Sequence, residues 1–440
     1  MFRSAAILCL LATLGLVTPA TAQTPLSLAE ATSRARMRNP DPGASTAATR
    51  EAGQRVTEAR AGYWPRVDVA ESWQRGNQPV FVFGSLISQR QFTADNFALG
   101  ALNYPEAIDN FRSAVTIDQP LFDAGIRARV TAATLAREAT IATGKMVEHD
   151  LNANVVDAYG RVLIAVGLRQ SAAKAAETAV LDRELTGNRR DAGRVTDADV
   201  LLAELQVSRA REQEIIATSD ERTARARLNQ LMGDPLDTIF QLEPAPAVTP
   251  IDVTSLAGLE AEAVTNRPEV AHATLLEQLA RTNQTVAGSA FLPRVTMQGG
   301  WELNGGAWNS RASSWIVGAV ARVNIFNGFA DKARLAAARE EGVRRALERT
   351  KTETSVRFDV HVAVARLEAA RAREAVGRDA VAQARESRRI IRDRYEAGLT
   401  DVVSLTRSAE AVAQAEAQQI AAQVAVVTET AALQRALGRQ

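Results

Sequence analysis

Apolar and polar residues alternate along four short stretches of the chain. Between residues 295 and 304 the odd positions are mainly apolar and the even positions mainly polar, and similar alternation covers 67–73, 111–118 and 315–325. A period of two residues predicts β-strands with one apolar face. Each stretch is about 8–12 residues long, which suits a tilted strand that spans a membrane. A strand of a soluble sandwich would alternate in the same way, so the pattern alone leaves both possibilities open.

Two long segments without proline predict long helices. Both segments are dominated by Ala, Arg, Glu, Leu and Gln, which are strong helix formers. Within them we expect one helix over residues 126–189 and another over residues 330–396, each about 100 Å long at about 1.5 Å per residue. Two shorter helices, at 28–38 and 43–62, are predicted near the N-terminus on either side of a proline pair.

The chain contains an internal repeat. Residues 65–67 (Pro-Arg-Val) recur 228 positions later, and residues 191–193 (Asp-Ala-Gly) match 396–398 (Glu-Ala-Gly), 205 positions later. The change of offset places about 24 extra residues in the first copy, between Trp73 and Leu121. We therefore predict a signal segment at 1–22, a first repeat at 23–233, a proline-rich connector at 234–255 and a second repeat at 256–440.

The extra residues of the first copy are rich in aromatic side chains. Five of them surround glycines and a proline: Phe81, Phe83, Phe92, Phe97 and Tyr104. A packed loop at an outer rim would explain this composition, and so would an aromatic cluster at a membrane interface. The first interpretation is the simpler one.

The N-terminus has the pattern of an export signal. Arg3 precedes an apolar run at residues 5–17, and small residues at 20–22 provide a cleavage site before Gln23. A short membrane anchor is the alternative, but the run is brief for a spanning helix. The only cysteine, Cys9, lies in this run, so a cleaved chain has neither disulfides nor cysteine metal ligands.

Charge and residue chemistry exclude several classes of protein. The chain has 52 Lys and Arg against 51 Asp and Glu, a net charge of +1, which argues against a nucleic-acid partner bound through a basic field. His149, His272 and His361 are isolated in predicted helices and lack metal-ligand spacing. Phosphate loops and dinucleotide fingerprints are also missing. We expect no metal, no cofactor, no catalytic residues and no enzymatic activity.

Four strands cannot close a membrane barrel by themselves. Open strand edges in lipid would leave backbone groups without hydrogen bonds. If the strands cross a membrane, closure requires a cyclic oligomer, in which two chains give eight strands and three give twelve. Eight strands would be filled by side chains, whereas twelve could surround a lumen.

The order and duplication of several motifs resemble the TolC family of outer-membrane efflux proteins. The motifs are residues 26–28 (Leu-Ser-Leu), 39–40 (Asn-Pro), 63–65 (Tyr-Trp-Pro), 119–123 (Gln-Pro-Leu-Phe-Asp) and 394–399 (Arg-Tyr-Glu-Ala-Gly-Leu). The resemblance implies a mainly α fold with a membrane β portion. It implies a homotrimer whose twelve-stranded barrel in the outer membrane continues as an α-helical barrel in the periplasm. It also implies a periplasmic adaptor protein and an inner-membrane RND or ABC transporter as partners, with outer-membrane lipid around the barrel.

The resemblance assigns the periplasmic entrance and the adaptor-docking surface to two helical hairpin tips. The residues concerned are Gly193, Arg194, Asp197, Asp199, Tyr395, Gly398, Leu399, Asp401 and Arg407. Each tip also has the ordinary signals of a helix end and a helix start: a glycine C-cap, which we expect in the left-handed conformation with positive φ, and then a Thr or Asp N-cap. The chain departs from the family at the acidic gate, because Thr400, Ser404 and Arg407 occupy the gate positions. The strand alternation assigns the barrel wall to Val67, Trp73, Val115, Trp301 and Val323.

Together these features predict the exit duct of a tripartite efflux or type I secretion system. The duct would pass substrates from the periplasm or an inner-membrane pump to the exterior. The alternative is a periplasmic coiled-coil adaptor or scaffold without a channel, built from the same long hairpins. Such an adaptor typically has a single hairpin flanked by small β modules, whereas this sequence is duplicated and has four alternating segments.

Overall fold

The computed structural model describes residues 25–244, 251–253 and 255–439. The predicted signal segment at 1–22 lies outside the described residues, as do the connector prolines Pro246 and Pro250. In chain order the elements are β1 (Pro25–Leu26), α1 (Leu28–Arg38), α2 (Pro40–Ala61), β2 (Arg66–Gly76), α3 (Pro79–Ser88), α4 (Leu99–Asn103), β3 (Ile108–Asp123), α5 (Ala124–Asp191), α6 (Asp197–Met232), β4 (Gln241–Leu242), α7 (Leu256–Asn266), α8 (Pro268–Gly288), β5 (Arg294–Ala307), β6 (Ser310–Arg322), α9 (Ala330–Glu396) and α10 (Val402–Ala436). Short 3-10 helices cover Ala94–Phe97 and Ser289–Phe291.

The two long helices confirm the prediction made from composition. Helix α5 has 68 residues and α9 has 67, and both agree with the predicted bounds within two residues. The shorter helix α2 begins at Pro40, three residues earlier than expected. Its start is capped by Asn39, whose Oδ1 accepts a hydrogen bond from the Asp41 amide at 2.9 Å. Proline fits there because the first helical residues need no intrahelical N–H partner. Within the described residues no helix is both long and apolar enough to cross a membrane.

The described residues form two compact units. The first consists of the described parts of Met1–Arg38, Val155–Val248 and Glu374–Val427, and the second of the described parts of Asn39–Asn154, Thr249–Arg373 and Thr428–Gln440. The first unit contains β1, β4, α6 and both helix–helix turns, at residues 192–196 and 397–401. The second contains the four-stranded sheet formed by β2, β3, β5 and β6.

In the first unit, β1 and β4 pair in parallel around a buried tyrosine. The hydroxyl of Tyr159 donates towards the carbonyl oxygens of Glu243, at 2.6 Å, and Leu26, at 2.9 Å. Burial, together with the nearby carboxylate of Glu243, raises the pKa of Tyr159 to about 12. The phenol therefore stays a hydrogen-bond donor at any physiological pH and fixes α5 to the β1–β4 pair.

The four-stranded sheet places most apolar positions of its strands on one face, and Ile316 and Val320 of β6 are exceptions on the other face. The strand order is β2-β3-β5-β6 and every pair is antiparallel. Val69 lies opposite Val115, which lies opposite Trp301, which lies opposite Trp315. We call this side the apolar face; it carries Val67, Val69, Trp73, Phe111, Val115, Ile117, Met297, Trp301, Trp315 and Val317. The other side is the polar face; it carries Asp68, Asn110, Arg112, Thr116, Asp118, Gln298, Glu302, Asn304 and Gly318.

One predicted wall residue lies outside the sheet. Strand β6 ends at Arg322, so Val323 is not part of it. The reason is that Arg322 pairs with Arg294, the first residue of β5, and the chain beyond has no sheet partner within the described residues. The following Asn324, expected on the polar side of a longer strand, instead donates from Nδ2 to Asp331 at 2.6 Å. It therefore stabilises the start of α9.

Glu71, the exception on the apolar side of β2, has polar partners. It accepts a hydrogen bond from the Ser113 hydroxyl, and its Oε1 lies 3.4 Å from Nη1 of Arg311. The Arg311 guanidinium also stacks on Trp308, 4.1 Å from the ring centroid. A paired carboxylate of this kind is much less costly on an apolar surface than an isolated one.

The extra residues of the first copy form α3, a 3-10 helix and α4. The rings of Phe83, Phe92 and Phe97 pack edge to face, with centroid separations of 4.8 and 5.1 Å. This packing agrees with the interpretation as a packed loop. We call residues 77–107 the insertion.

Candidate functional site: the two helical turns

Both turns between long helices use a glycine in the left-handed conformation. The first turn, residues 192–196, joins α5 to α6, and the second, residues 397–401, joins α9 to α10. Gly193 has φ +69° and Gly398 has φ +79°, which confirms the prediction of positive φ. The amide of Gly193 donates to the Arg190 carbonyl at 2.8 Å, and the amide of Gly398 donates to the Tyr395 carbonyl at 3.0 Å. These bonds satisfy carbonyls at the end of each helix.

The helices that follow the turns begin with side-chain caps. In the first turn Thr196 and Asp199 form a reciprocal capping box, in which Asp199 Oδ2 accepts from the Thr196 amide at 2.8 Å. In the second turn Asp401 Oδ1 accepts from the Ser404 amide at 2.8 Å. This bond from the Ser404 amide lowers the pKa of the Asp401 carboxyl from its usual value. Asp199 and Asp401 thus have structural roles at helix starts.

Tyr395 forms the centre of a small buried core below the second turn. It is 1 % exposed and packs with Val402 and Leu405, and the partly buried Leu185 and Leu202 close the cluster. Tyr395 had been predicted as a docking residue, but its side chain does not reach the surface of the chain. The reason is that α5 and α10 cover it on two sides.

Two residues of α5 hold the Tyr395 ring and hydroxyl. The Thr186 hydroxyl donates to the Asp182 carbonyl at 2.8 Å, which leaves the Tyr395 hydroxyl to donate to Thr186 Oγ1 at 3.0 Å. The guanidinium of Arg189 lies over the Tyr395 ring, 4.5 Å from its centroid. Arg189 is 9 % exposed, and its Nε and Nη1 have no hydrogen-bond partner among the described residues. The aromatic face is the contact that stabilises this buried cation.

Ion pairs join the helices above this core. Arg388 on α9 contacts Asp182 on α5 at 2.9 Å, and Arg183 on α5 contacts Glu204 on α6 at 2.8 Å. Glu416 on α10 contacts Arg385 at 2.6 Å. The Arg388 pair is the least exposed of the three, so solvent screens it least.

A groove of about 630 Å³ runs between α5, α6 and α10. Small side chains line much of it: Ala172, Ala175, Ala203, Ala210, Ala409 and Ala413. Charged residues such as Lys174, Arg209 and Glu410 lie among them. Small residues let a further helix approach closely, while the charges limit which helix fits.

The structure brings the other predicted tip residues together at the turns. Arg194, Asp197, Gly398, Leu399, Asp401 and Arg407 are exposed, Gly193 is exposed, and Asp199 is half-buried. The predicted wall residues Val67, Trp73, Val115 and Trp301 lie together on the apolar face of the sheet in the other unit. The described residues contain no cluster of three or more His, Cys, Asp or Glu side chains able to hold a metal.

Sequence reasoning missed Thr186, Arg189 and Arg388. The spacing of Asp182, Thr186 and Arg189 along α5 places all three on one helix face just before Gly193, which is a usable signal. That signal does not name the partner, because Tyr395 is more than 200 positions away in the sequence.

Comparison with known proteins agrees with this architecture. The family model described as outer membrane efflux protein matches residues 31–234 and 259–439. The protein CyaE of Bordetella pertussis is 28 % identical over 312 residues, which cover 69 % of this chain and 65 % of CyaE. The chain therefore spans slightly less than two thirds of the length of that relative.

Solved structures of outer-membrane channels share the fold. The CmeC outer membrane channel of Campylobacter jejuni superposes with a TM-score of 0.81 at 13 % identity, covering 93 % of this chain and 85 % of CmeC. The outer membrane protein VceC of Vibrio cholerae gives 0.78 at 18 % identity, covering 94 % and 96 %. These likenesses confirm the predicted fold class, mainly α with a β portion.

The fold is the one that these outer-membrane channels share. The family model confirms the predicted location in the outer membrane. The resemblance in the sequence motifs is confirmed as well. The chain belongs to the outer membrane efflux protein family.

Proposed function

We propose that the protein is the outer-membrane exit duct of a tripartite efflux or type I secretion system. The observation that carries this proposal is the two-faced sheet. Register alone places most apolar residues of the four strands on one side and most polar residues on the other, with Ile316 and Val320 as exceptions on the polar side. On the apolar face Val69, Trp315 and Val317 are 62–77 % exposed, which suits a surface in contact with lipid.

Closure of the duct requires further copies of the chain. Strands β2 and β6 each have one sheet partner within the described residues, so both edges of the sheet are open. Edges in lipid must be paired. We propose a homotrimer with twelve strands, because eight strands would leave no room for a passage. Its polar faces would line the lumen, where Arg112 and Glu302 form an ion pair and Gln298 donates to Asp118.

The two helical turns serve as the periplasmic entrance in this proposal. Their exposed residues, including Arg194, Asp197, Leu399 and Arg407, would contact a periplasmic adaptor protein. The alanine-lined groove between α5, α6 and α10 would receive an adaptor helix, because its small side chains let a helix approach closely. An inner-membrane RND or ABC transporter would supply the substrate. The two repeats, 23–233 and 256–440, would provide one hairpin each, and transport through this route needs no catalytic residue.

A charge on each face of β6 tests the proposal. Val317 lies on the apolar face, and the neighbouring Gly318 lies on the polar face with open space around its Cα. Val317→Arg should cost about 2–4 kcal/mol in a membrane-embedded strand, while Gly318→Arg should be tolerated in the lumen. The measurements are the yield of trimer in outer-membrane fractions, judged by heat-modifiable gel mobility, and export by a deletion strain carrying each variant.

The proposal fails if the native chain fractionates as a soluble periplasmic monomer. That result would favour a coiled-coil scaffold. Equal trimer yields for the two arginine variants would show that the apolar face does not contact lipid.

A further inference from the structure

We propose that the insertion is an exit constriction, held over the polar face of the sheet at the outer mouth of the duct. This inference rests on the proposed function, because the polar face lines a lumen only in a closed duct. It assigns a specificity-determining role to residues 77–107, which would limit the size of what leaves.

The insertion lies at the outer end of the sheet. Strand β3 runs directly into α5 at its Asp123 end, and the helices extend into the periplasm. The insertion joins Gly76 to Ile108, the pair at the opposite end of β2 and β3.

Three independent contacts place the insertion on the polar face. A Cβ at Gly76, whose side chain would point to the polar face, would lie 3.7 Å from the Phe81 ring. A Cβ at Gly306 would lie 3.4 Å from Gln89 Oε1. Asn110, on the polar face, accepts a hydrogen bond from Gln89. The insertion therefore covers the side that faces a lumen in the closed duct.

A buried amide network fixes the insertion to the sheet. Gln89, just after α3, is 6 % exposed, and its Nε2 donates to the Asp109 carbonyl at 2.9 Å and to Asn110 Oδ1 at 3.0 Å. Asn110 Nδ2 then donates to Asn304 Oδ1 at 3.1 Å. Both asparagines are buried. Buried amides with satisfied partners specify one position, because any shift would leave them unpaired.

The next residue, Arg90, provides a second anchor between the insertion and the sheet. Arg90 has φ +55°, a conformation that costs energy for a residue with a side chain. Its Nη2 donates to the Ser313 carbonyl on β6 at 3.0 Å. The strained backbone is therefore held at the point where the insertion contacts the edge strand.

The surface that the insertion presents is apolar. Val80, Leu99 and Tyr104 are 78–88 % exposed, and Ile87 is half exposed, while the stacked phenylalanines keep the segment rigid. Three copies in a trimer would bring three such surfaces towards one axis. Such a constriction narrows the exit, so we expect it to admit small solutes and to exclude bulky ones until it opens.

The test measures access to the lumen from outside the cell. A single cysteine is placed by Thr116→Cys on the polar face, further along β3 than Asn110; the only natural cysteine, Cys9, lies in the predicted signal. Intact cells are treated with membrane-impermeant maleimides of increasing size. In this background we expect small reagents to label the cysteine and large reagents to be excluded.

Loosening the anchor should remove the size limit. Gln89→Ala deletes one buried hydrogen-bonded group and should raise labelling by large reagents about tenfold. The matched control is Gln78→Ala, in the same segment, because Gln78 makes no capping hydrogen bond. A second variant replaces 77–107 by Asn-Gly, since Gly76 and Ile108 are paired and a two-residue turn can join them. In this second variant, large reagents should label the cysteine at least as fast as they do in Gln89→Ala.

Equal labelling by large reagents with and without the insertion would overturn the constriction while leaving the duct intact. If even the smallest reagent fails to label T116C in a correctly inserted trimer without the insertion, the polar face does not line a lumen. That second result overturns the proposed function, and the constriction with it, so the two failures are distinguishable.

Discussion

The two helical turns have the same backbone and different side chains. Gly193 and Gly398 lie 205 positions apart, and both adopt the left-handed conformation with a matching hydrogen bond. The capping residues that follow differ. In the first turn Thr196 pairs with Asp199, three residues later, whereas in the second turn Asp401 pairs with Ser404, three residues later. The comparison shows that the reversal of a long hairpin fixes the backbone, while several capping pairs satisfy the same amides.

The turns differ more in how they are attached. Tyr395, at the end of α9, is buried under α5 and α10, whereas the matching residue of the first turn, Arg190, is exposed and contacts Asp191 and Asp197. The second turn is thus fixed by a core, and the first by surface ion pairs that contribute little. We expect mutations of the buried Tyr395 core to act mainly through stability, and mutations of the exposed ion pairs of the first turn to have little effect on stability.

Removal of the Tyr395 ring should have the largest effect. Tyr395→Ala should destabilise the tip locally by about 3–5 kcal/mol, because it empties a packed site below the turn. Tyr395→Phe keeps the ring and loses only the bond to Thr186, so about 1 kcal/mol is expected. Hydrogen exchange of the amides in residues 395–405 measures both effects.

The matched control for this prediction is Arg190→Ala in the first turn. Its effect on exchange should be far smaller than that of Tyr395→Ala, since only exposed ion pairs are lost. Equal protection in Tyr395→Ala and Arg190→Ala would show that the two turns are attached in the same way.

The core below the second turn also shows what sequence could and could not predict. The glycine conformations, the long helices and the faces of the strands followed from local rules, because period and capping act within a few residues. The burial of Tyr395 did not, since it depends on Thr186 and Arg189 of another helix. The end of β6 before Val323 was missed for the same reason, because a strand continues only as far as its partner.

A bulky charge at each glycine separates folding from docking. Gly193→Glu and Gly398→Glu should each cost about 1–2 kcal/mol through the left-handed conformation and leave a heat-resistant trimer. Space around Gly193 is open, whereas a Cβ at Gly398 would lie 3.4 Å from Arg189 Nη2. We expect both variants to lose export and crosslinking to the adaptor.

Gly193→Glu is the cleaner test because the new side chain meets no neighbour. Gly193→Ala serves as its control, since it carries the same backbone cost without the charge. Full export in Gly193→Glu cells would mean that the first turn does not contact the adaptor.

Loss of a cap should have a smaller effect, and one that is equal in the two turns. Thr196→Ala and Asp401→Ala each remove one side-chain acceptor at a helix start, so each should modestly speed exchange there. Exchange at the first amides of α6 and α10 reports each cap separately. An effect confined to one turn would show that the two capping pairs are not equivalent.

The smallest expected effect is a pH dependence of the bond between Asp401 and the Ser404 amide. The Ser404 amide lowers the pKa of the Asp401 carboxyl below its usual value of 3.8, so the carboxylate stabilises the folded turn. This contribution is fully present above that usual value and is lost as the pH falls through the lowered folded pKa. The Thr196 hydroxyl cannot titrate, so its own bond at the first turn should persist.

Asp401→Asn keeps a capping oxygen without the ionisation and should remove the pH dependence at the Ser404 amide. The measurement is hydrogen exchange at the Ser404 amide from pH 5 downward, in the native chain and in Asp401→Asn. Comparing the two proteins corrects for the intrinsic pH dependence of exchange. Parallel profiles for the two proteins would show that the charge on Asp401 contributes nothing to the second turn.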